Sequence, residues 1–461
     1  MASSSGNKPF LVYQLGTNNW QREGEFAPGS GILHEMHHNA YNLIEGVKCY
    51  SIYPSEKQTP HPDPQVKVLK LNHPIPICES ASPVSTYRWH SFSDDEFETY
   101  KKNLEDAVYK QMDEAEKKEG THFKLAVAHH TFLNPLVMRN VIQRRIKEGK
   151  PPTALACFAH GTALRMYLHE IDEKLPEEFP MRFLPMVKES KIFDPSDKTA
   201  VEICYVISQQ QVDTFLGIFS SFSPDRIVLS PNGVNQQIFH RLEGCTIANV
   251  LKEFKSVHYE GSPRTSVQID GSKYDHVVVL VCRFADSKRI PSLLYAASTY
   301  EKDISSKVAT LIVGTGPLAI QKQLQDLAYD ELKLEHTYFL GPQPQPVLAK
   351  LYTVASIGAF PFHNEAFGMV FVECMACGTP VIGANSGGPI DFVDETVGIL
   401  VPETDDIKAL GKSVNDAVQK AIKENWKVTH SKACINLVES LYSIKKQVGD
   451  LLDETRKQLK I

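Results

Sequence analysis

Glu365 and Glu373 stand eight positions apart in His363-Asn-Glu-Ala-Phe-Gly-Met-Val-Phe-Val-Glu-Cys-Met-Ala-Cys-Gly-Thr-Pro380. The first follows an apolar run, Ile357-Gly-Ala-Phe360, and precedes Phe367-Gly368-Met369, where a helix should begin. The second lies about two turns inside that helix. Such an offset spans at most about 12 Å at 1.5 Å per helical residue, comparable to the separation of sugar and ribose in a nucleotide-diphosphate sugar. A helix N-terminus, here at Met369 and Val370, offers unpaired N–H groups and a positive dipole end to a diphosphate. Gly368 lets the backbone approach closely, and each carboxylate can accept hydrogen bonds from vicinal hydroxyls. Two isolated glutamates would read as a surface residue and a cap. The surrounding Gly, Phe and Pro favour the binding role.

A second motif in the same stretch carries less. Cys374-Met-Ala-Cys377 has the form of a redox or zinc half-site, but no second pair stands at metal-ligand spacing. The pair also lies inside an apolar helical pattern, so two small core residues are expected.

The elements that must hold these residues follow from the rest of the chain. Its 461 residues exceed one ordinary core and call for two domains. The composition, 42% hydrophobic and 23% charged, is that of a soluble globular protein. A formal net charge of −6 without a basic run argues against nucleic acid or a membrane surface as partner. No apolar run approaches the roughly 20 residues of a membrane helix. The N-terminus, Met1-Ala-Ser-Ser-Ser-Gly-Asn-Lys8, reads as a polar leader rather than a secretory signal. Nine scattered cysteines make a disulfide framework unexpected, and a reducing, cytoplasmic location fits.

Phe10-Leu-Val-Tyr-Gln-Leu15, Leu125-Ala-Val-Ala128, Thr153-Ala-Leu-Ala-Cys-Phe158 and Glu202-Ile-Cys-Tyr-Val-Ile207 are apolar runs of the kind buried on both faces. A helix is predicted from Ile32 to about Leu43 and a surface helix over 99–117. Past a polar stretch around Tyr259-Glu-Gly-Ser-Pro-Arg-Thr-Ser266, strands are predicted at His276-Val-Val-Val-Leu-Val-Cys282, Ala309-Thr-Leu-Ile-Val313, Thr337-Tyr-Phe-Leu340, Ile357-Gly-Ala-Phe360, Pro380-Val-Ile-Gly383 and Gly398-Ile-Leu-Val401, with helices between most of them. This alternation specifies parallel doubly wound sheets, in which ligands gather at the carboxyl ends of the strands. The fold class is thus α/β with two Rossmann-like domains. Their boundaries fall at 1–240, a connection at 241–273, 274–425, and C-terminal helices at 426–461 packing back toward the N-terminal domain.

The E-x(7)-E block, with Ala376-Cys-Gly-Thr-Pro-Val381 and Ser386-Gly-Gly-Pro389, resembles family 4 of the retaining glycosyltransferases, which share the GT-B fold. The resemblance runs from about Ile227 onward and is patchier before it. It implies an active site in the interdomain cleft, with an acceptor-binding first domain and a donor-binding second one. Pro231-Asn-Gly-Val-Asn235 resembles the family's P-N-G-V-D segment, with Asn235 where Asp is commoner. Arg283 and Lys288 resemble the basic pair that grips the donor diphosphate, although Cys282 replaces the usual glycine. Gly314-Thr-Gly-Pro317 resembles the G-x-G-P turn, placing Gly314 and Gly316 at the donor. Pro28-Gly-Ser-Gly31 resembles the Gly-rich loop after the first strand, placing Gly29 and Gly31 at the donor phosphates. His160 resembles the active-site histidine near the donor sugar, and His129, His130 and Asn134 are acceptor-side candidates.

The resemblance further implies hexosyl transfer with retention from a nucleotide-diphosphate sugar, UDP favoured, with Glu365 on the sugar hydroxyls and Glu373 on the ribose. The nucleotide sugar is a co-substrate, and no cofactor is expected. No D-x-D motif is present, so Arg283, Lys288 and the helix N-terminus are expected to neutralise the leaving diphosphate without a metal. The absence of an amphipathic surface pattern favours a small soluble acceptor. Alternatives on the same fold are a nucleotide-sugar epimerase, a phosphorylase, and a non-catalytic sugar-nucleotide-binding module. The E-x(7)-E context opposes the epimerase. The intact Glu365, Glu373, Arg283 and Lys288 oppose the non-catalytic module.

Overall fold

Apolar runs bounded by turns become parallel strands wherever helices cover both faces of a sheet, and this chain builds two such sheets. The computed structural model describes residues 8–20, 29–56, 60–72, 92–172, 182–303 and 307–461. The leader before Lys8 and Pro28 of the Gly-rich segment lie outside them.

The chain divides into two units. The first comprises Met1–Pro231 with Ile444–Ile461, the second Asn232–Ser443. Sequence placed the limits at 240 and 425, with 241–273 as a connection. In the structure 241–273 is part of the second unit, where Val257 N donates to Phe339 O (2.6 Å) beside the sheet edge.

The first unit holds β1 (Phe10–Leu15), β2 (Val47–Ser55), β3 (Val66–Lys70), β4 (Phe123–His129), β5 (Ala154–Ala159), β6 (Ile203–Val206) and β7 (Ile227–Leu229). They form one sheet in the order β3-β2-β1-β4-β5-β6-β7, every pair parallel. The order reverses between β1 and β4, where Leu15 faces Ala128. The predicted surface helix is Asp94–Glu119. A Ser93/Glu96 capping box starts it, and Gly120 in the left-handed region stops it. It buries Phe97, Tyr100, Leu104, Val108 and Met112 at the three- and four-residue spacing of one helical face.

The second unit holds β8 (His276–Val281), β9 (Val308–Val313), β10 (Thr337–Gly341), β11 (Ile357–Phe360), β12 (Val381–Ala384) and β13 (Gly398–Val401), in the order β10-β9-β8-β11-β12-β13, again parallel throughout. This is the 3-2-1-4-5-6 order of a dinucleotide-binding sheet, with its switch point between β8 and β11. Among the described residues no helix is long and apolar enough to cross a membrane.

Candidate active site

At the switch point of the second unit, the loop after β8 carries Arg283 and Lys288, and the loop after β11 carries Glu365. Lys288 and Glu365 form an ion pair there, and the Lys288 ammonium also lies 4.2 Å from the centre of the Phe362 ring. The two loops are tied by their backbones: His363 N donates to Ser287 O (2.8 Å). Glu365 pairs with Gly387, and its carbonyl accepts from Gly388 N (2.7 Å).

The glycine turn after β9 supports the Arg283 loop by close packing. Phe284 N donates to Thr315 O (2.8 Å). A Cβ at Gly314 would come within 1.8 Å of the Cys282 carbonyl oxygen, and one at Gly316 within 2.6 Å of Phe284. The close approach at Gly314 is to the Cys282 main chain.

Gly368 adopts φ 97°, and the helix that follows is Met369–Ala376. A Cβ at Gly368 would stand 2.7 Å from the Phe371 ring. The Phe367 ring turns into an aromatic cluster with Phe392 (5.2 Å) and Tyr442 (5.8 Å), so its part beside the helix start is its main chain. Because the helix begins only at Met369, Glu373 stands one turn in, not two. The residue is 8% exposed, and burial pushes its carboxyl pKa up to about 7. The Tyr352 hydroxyl donates to it at 3.5 Å. Behind it, Lys427 contacts Thr379 Oγ1, and burial draws this lysine down to about 8.

The C-x-x-C pair is core, as expected. Cys374 and Cys377 are buried beside Cys434, and burial pushes the thiols of Cys377 and Cys434 up to about 12. Among the described residues no group of three or more His, Cys, Asp or Glu could hold a metal ion.

In the first unit, Gly29 and Gly31 belong to the first turn of the Gly29–Asn42 helix rather than to a loop. Gly31 is there for packing, since a Cβ would meet the Asn19 carbonyl oxygen at 2.0 Å. His129 and His160 stand at the ends of adjacent strands and share a hydrogen bond of 2.9 Å; their rings stack at 5.1 Å. His129 Nε2 reaches Gln14 Oε1 at 2.9 Å. With that oxygen accepting, the proton of His129 sits on Nε2, and His160 donates to its Nδ1. His130 has φ 68°, an uncommon conformation for a residue with a side chain. Asn134 spans the switch point, its amide donating to Thr17 Oγ1 (3.0 Å) and the His129 carbonyl (2.9 Å).

Sequence reasoning missed the partners of these histidines. His34 and His37 come in from the Gly29–Asn42 helix, with ring centres 4.6 and 5.7 Å from that of His129. Trp20 Nε1 donates to His34 Nδ1 (2.8 Å). Burial first, then the neighbouring imidazoles, hold His34, His129 and His160 well below the usual histidine range. The three-residue spacing of His34 and His37 on one helix was the available signal.

Residues 265–430 match the family model of glycosyl transferases group 1. A D-inositol 3-phosphate glycosyltransferase of Mycobacteroides abscessus is 39% identical over 137 residues, 29% of this chain and 30% of that protein. Curated relatives of that name are matched over 28% to 64% of their own length, less than two thirds. Among solved structures, sucrose-phosphate synthase from Thermosynechococcus elongatus superposes with a TM-score of 0.65 at 18% identity, covering 98% of this chain and 99% of the other. Anabaena HepE in complex with UDP and glucose gives 0.61 at 14% identity, covering 97% and 100%. Residues 265–430 are thus similar to the glycosyl transferases group 1 model, in a chain whose two Rossmann-like units have the fold of the GT-B glycosyltransferases.

Proposed function

We propose that the chain is a retaining glycosyltransferase, moving a hexosyl group from a nucleotide-diphosphate sugar to a hydroxyl of a small soluble acceptor, without a metal. The observation that carries this reading is the Lys288–Glu365 pair, at the switch point of β8 and β11 and beside the Met369–Ala376 helix start, inside the matched family segment.

In the ligand-free chain these two charges neutralise each other. A donor separates their tasks: Lys288, with Arg283, faces the diphosphate, and Glu365 accepts from the sugar hydroxyls. Glu373 accepts from the ribose. The cations and the Met369 and Val370 amides stabilise the charge that grows on the departing diphosphate. The acceptor hydroxyl then attacks on the same face through an oxocarbenium-like state, and the departing phosphate takes its proton, so no protein nucleophile is required. His160 contacts the sugar, while His129, His130 and Asn134 line the acceptor side.

UDP as the base is supported by the Anabaena protein of the same fold, solved with UDP and glucose. A cytoplasmic setting is supported by the cysteines, since the eight described are all free thiols.

The test is calorimetric binding of UDP, GDP, ADP and their hexose conjugates with a chelator present. Tight binding of one nucleotide, abolished by Arg283→Ala, is the expected result. Binding that appears only when a divalent cation is restored would overturn metal independence. No binding to any of them would overturn the donor reading.

A further inference from the structure

Arg289 follows the Lys288 turn and adopts φ 46°, ψ 35°, a left-handed conformation that glycine enters freely and a side chain resists. It is 6% exposed, although a flexible cation ordinarily stays in water. A strained, buried arginine next to a site cation points to a task for its side chain.

The guanidinium reaches the loop after β13 on one side and the loop after β11 on the other. Nη1 lies 2.6 Å from Glu403 Oε1, Nη2 lies 3.0 Å from Asp405 Oδ1, and Nη2 lies 3.2 Å from His363 Nδ1. His363 Nδ1 is itself 2.7 Å from Glu403 Oε1, and its Nε2 is 3.1 Å from the Asn364 amide nitrogen. With Asn364 donating to Nε2, the proton of the neutral ring sits on Nδ1 and points at Glu403. The Glu403 carboxylate thus joins Arg289 to His363 by accepting from both, while Nη2 and the Nδ1–H, two donors, stand side by side without bonding each other. Arg289 stands immediately beside Lys288, and His363 two residues before Glu365.

We propose that Arg289 is a positioning residue that clamps the Lys288 turn and the 363–365 loop in the geometry the donor requires; this rests on the donor-site reading of Lys288 and Glu365. Left without the clamp, the two loops would still be joined by the His363 N–Ser287 O bond. Their side chains, however, would lose the shared anchor to the 403–405 loop. The clamp contributes geometry and touches no substrate.

The test compares Arg289→Gly, which relieves the backbone strain, with Arg289→Lys and with Glu403→Gln, which weakens the clamp from its more exposed side. Amide hydrogen exchange is read first, on the ligand-free chain. In Arg289→Gly the amides of His363 and Asn364 should exchange at least tenfold faster, while those of β9 and β12 do not change. Steady-state kinetics with the donor should then show KM raised about tenfold and kcat changed much less. Arg289→Lys should recover part of that loss, and Glu403→Gln should move both readouts in the same direction. Exchange at 363–364 equal to wild type in Arg289→Gly and Glu403→Gln overturns the proposal whatever the substrate is. Faster exchange with donor KM unchanged overturns it too, by reducing the clamp to a stability element. A wild-type chain that turns over no nucleotide sugar would instead count against the transferase reading, and the exchange result would still decide whether Arg289 clamps the loops.

Discussion

Glu373 is 8% exposed, and its carboxyl pKa is pushed up to about 7 by the loss of water around it. At neutral pH the ligand-free chain therefore divides between the neutral acid and the carboxylate. Only the carboxylate accepts from two ribose hydroxyls without competing as a donor. Donor affinity should fall about tenfold per pH unit below 7, because protonation must be undone on binding. Glu373→Gln should flatten that dependence, and the difference between the two curves removes the titration of the nucleotide itself. Glu373→Ala should cost about 1.5–3 kcal/mol of donor binding, the worth of a charged hydrogen bond. Calorimetry from pH 5.5 to 8.5 reads all three, and parallel curves for wild type and Glu373→Gln would remove Glu373 from the ribose. The loop of Glu365 and the helix of Glu373 were legible in sequence because their spacing is local, although the helix starts at Met369 and sets Glu373 one turn in rather than two. Arg289, His363 and Glu403 were not. Their meeting depends on a left-handed φ at Arg289 and on three strand ends brought together by the sheet order β8-β11-β12-β13.

The Gly29–Asn42 helix shows how an element can place chemistry that its own pattern conceals. Leu33, Met36, Ala40 and Tyr41 are buried along with His34, His37 and His38, so imidazoles occupy positions of a core face. Both nitrogens of His37 are buried without a hydrogen-bond partner, and its pKa is held down to about 3 by burial. His130 is held down to about 4 by the same cause. Unfolded imidazoles titrate near 6.5. From there downward the unfolded chain takes up protons that the folded unit refuses, so stability is fully present above about pH 6.5 and is lost as pH falls toward the native values. His37 and His130 together should remove on the order of 4 kcal/mol between pH 6.5 and pH 5, at about 1.4 kcal/mol per unit each. His37→Leu should flatten this acid limb while leaving stability near pH 7.5 little changed, since no hydrogen bond is lost. Denaturant midpoints measured from pH 5 to 8 check it, and an unaltered slope in His37→Leu would show that the ring is not the proton acceptor. The strands buried on both faces were legible here because a continuous apolar run is unambiguous. β2 and β3 were not, since Val47–Ser55 mixes Lys, Ser and Pro among its apolar residues and β3 lies at the sheet edge.

At the scale of the whole molecule, the chain leaves its first unit at Pro231 and returns to it at Ile444. Val234 pairs with Ser443, and Val234 N donates to Tyr442 O (2.7 Å), so the outgoing and returning stretches of chain run side by side within the second unit. Sequence expects the helices over 426–461 to pack back on the first unit, whereas only Ile444–Ile461 belongs to it; nothing marks the start at 444, since the stretch from 405 onward is helical and rich in Lys, Asp and Glu on both sides of residue 443. What decides it is packing. The Ile444–Leu459 helix buries Val448, Leu451 and Leu452, lies against the Gly29–Asn42 helix, and joins Thr455 to Tyr205 (2.6 Å) and Gln447 to Ser230 (2.9 Å). Its last turn sets Arg456 over the Phe10 ring at 4.2 Å. The final segment, Ile444–Ile461, thus closes the core that β1 begins. Leu452→Ala should cost about 2–5 kcal/mol, the usual loss for a buried leucine, against a total stability of about 5–15 kcal/mol for a domain. That loss belongs to one unit. In hydrogen exchange, amides of β1, β4 and β5 should lose protection in this variant while those of β8, β9 and β11 keep theirs. Equal loss in both sheets would show that the two units unfold as one. Loss confined to β8, β9 and β11 would assign the terminal helix to the other core, overturning the division at Ser443.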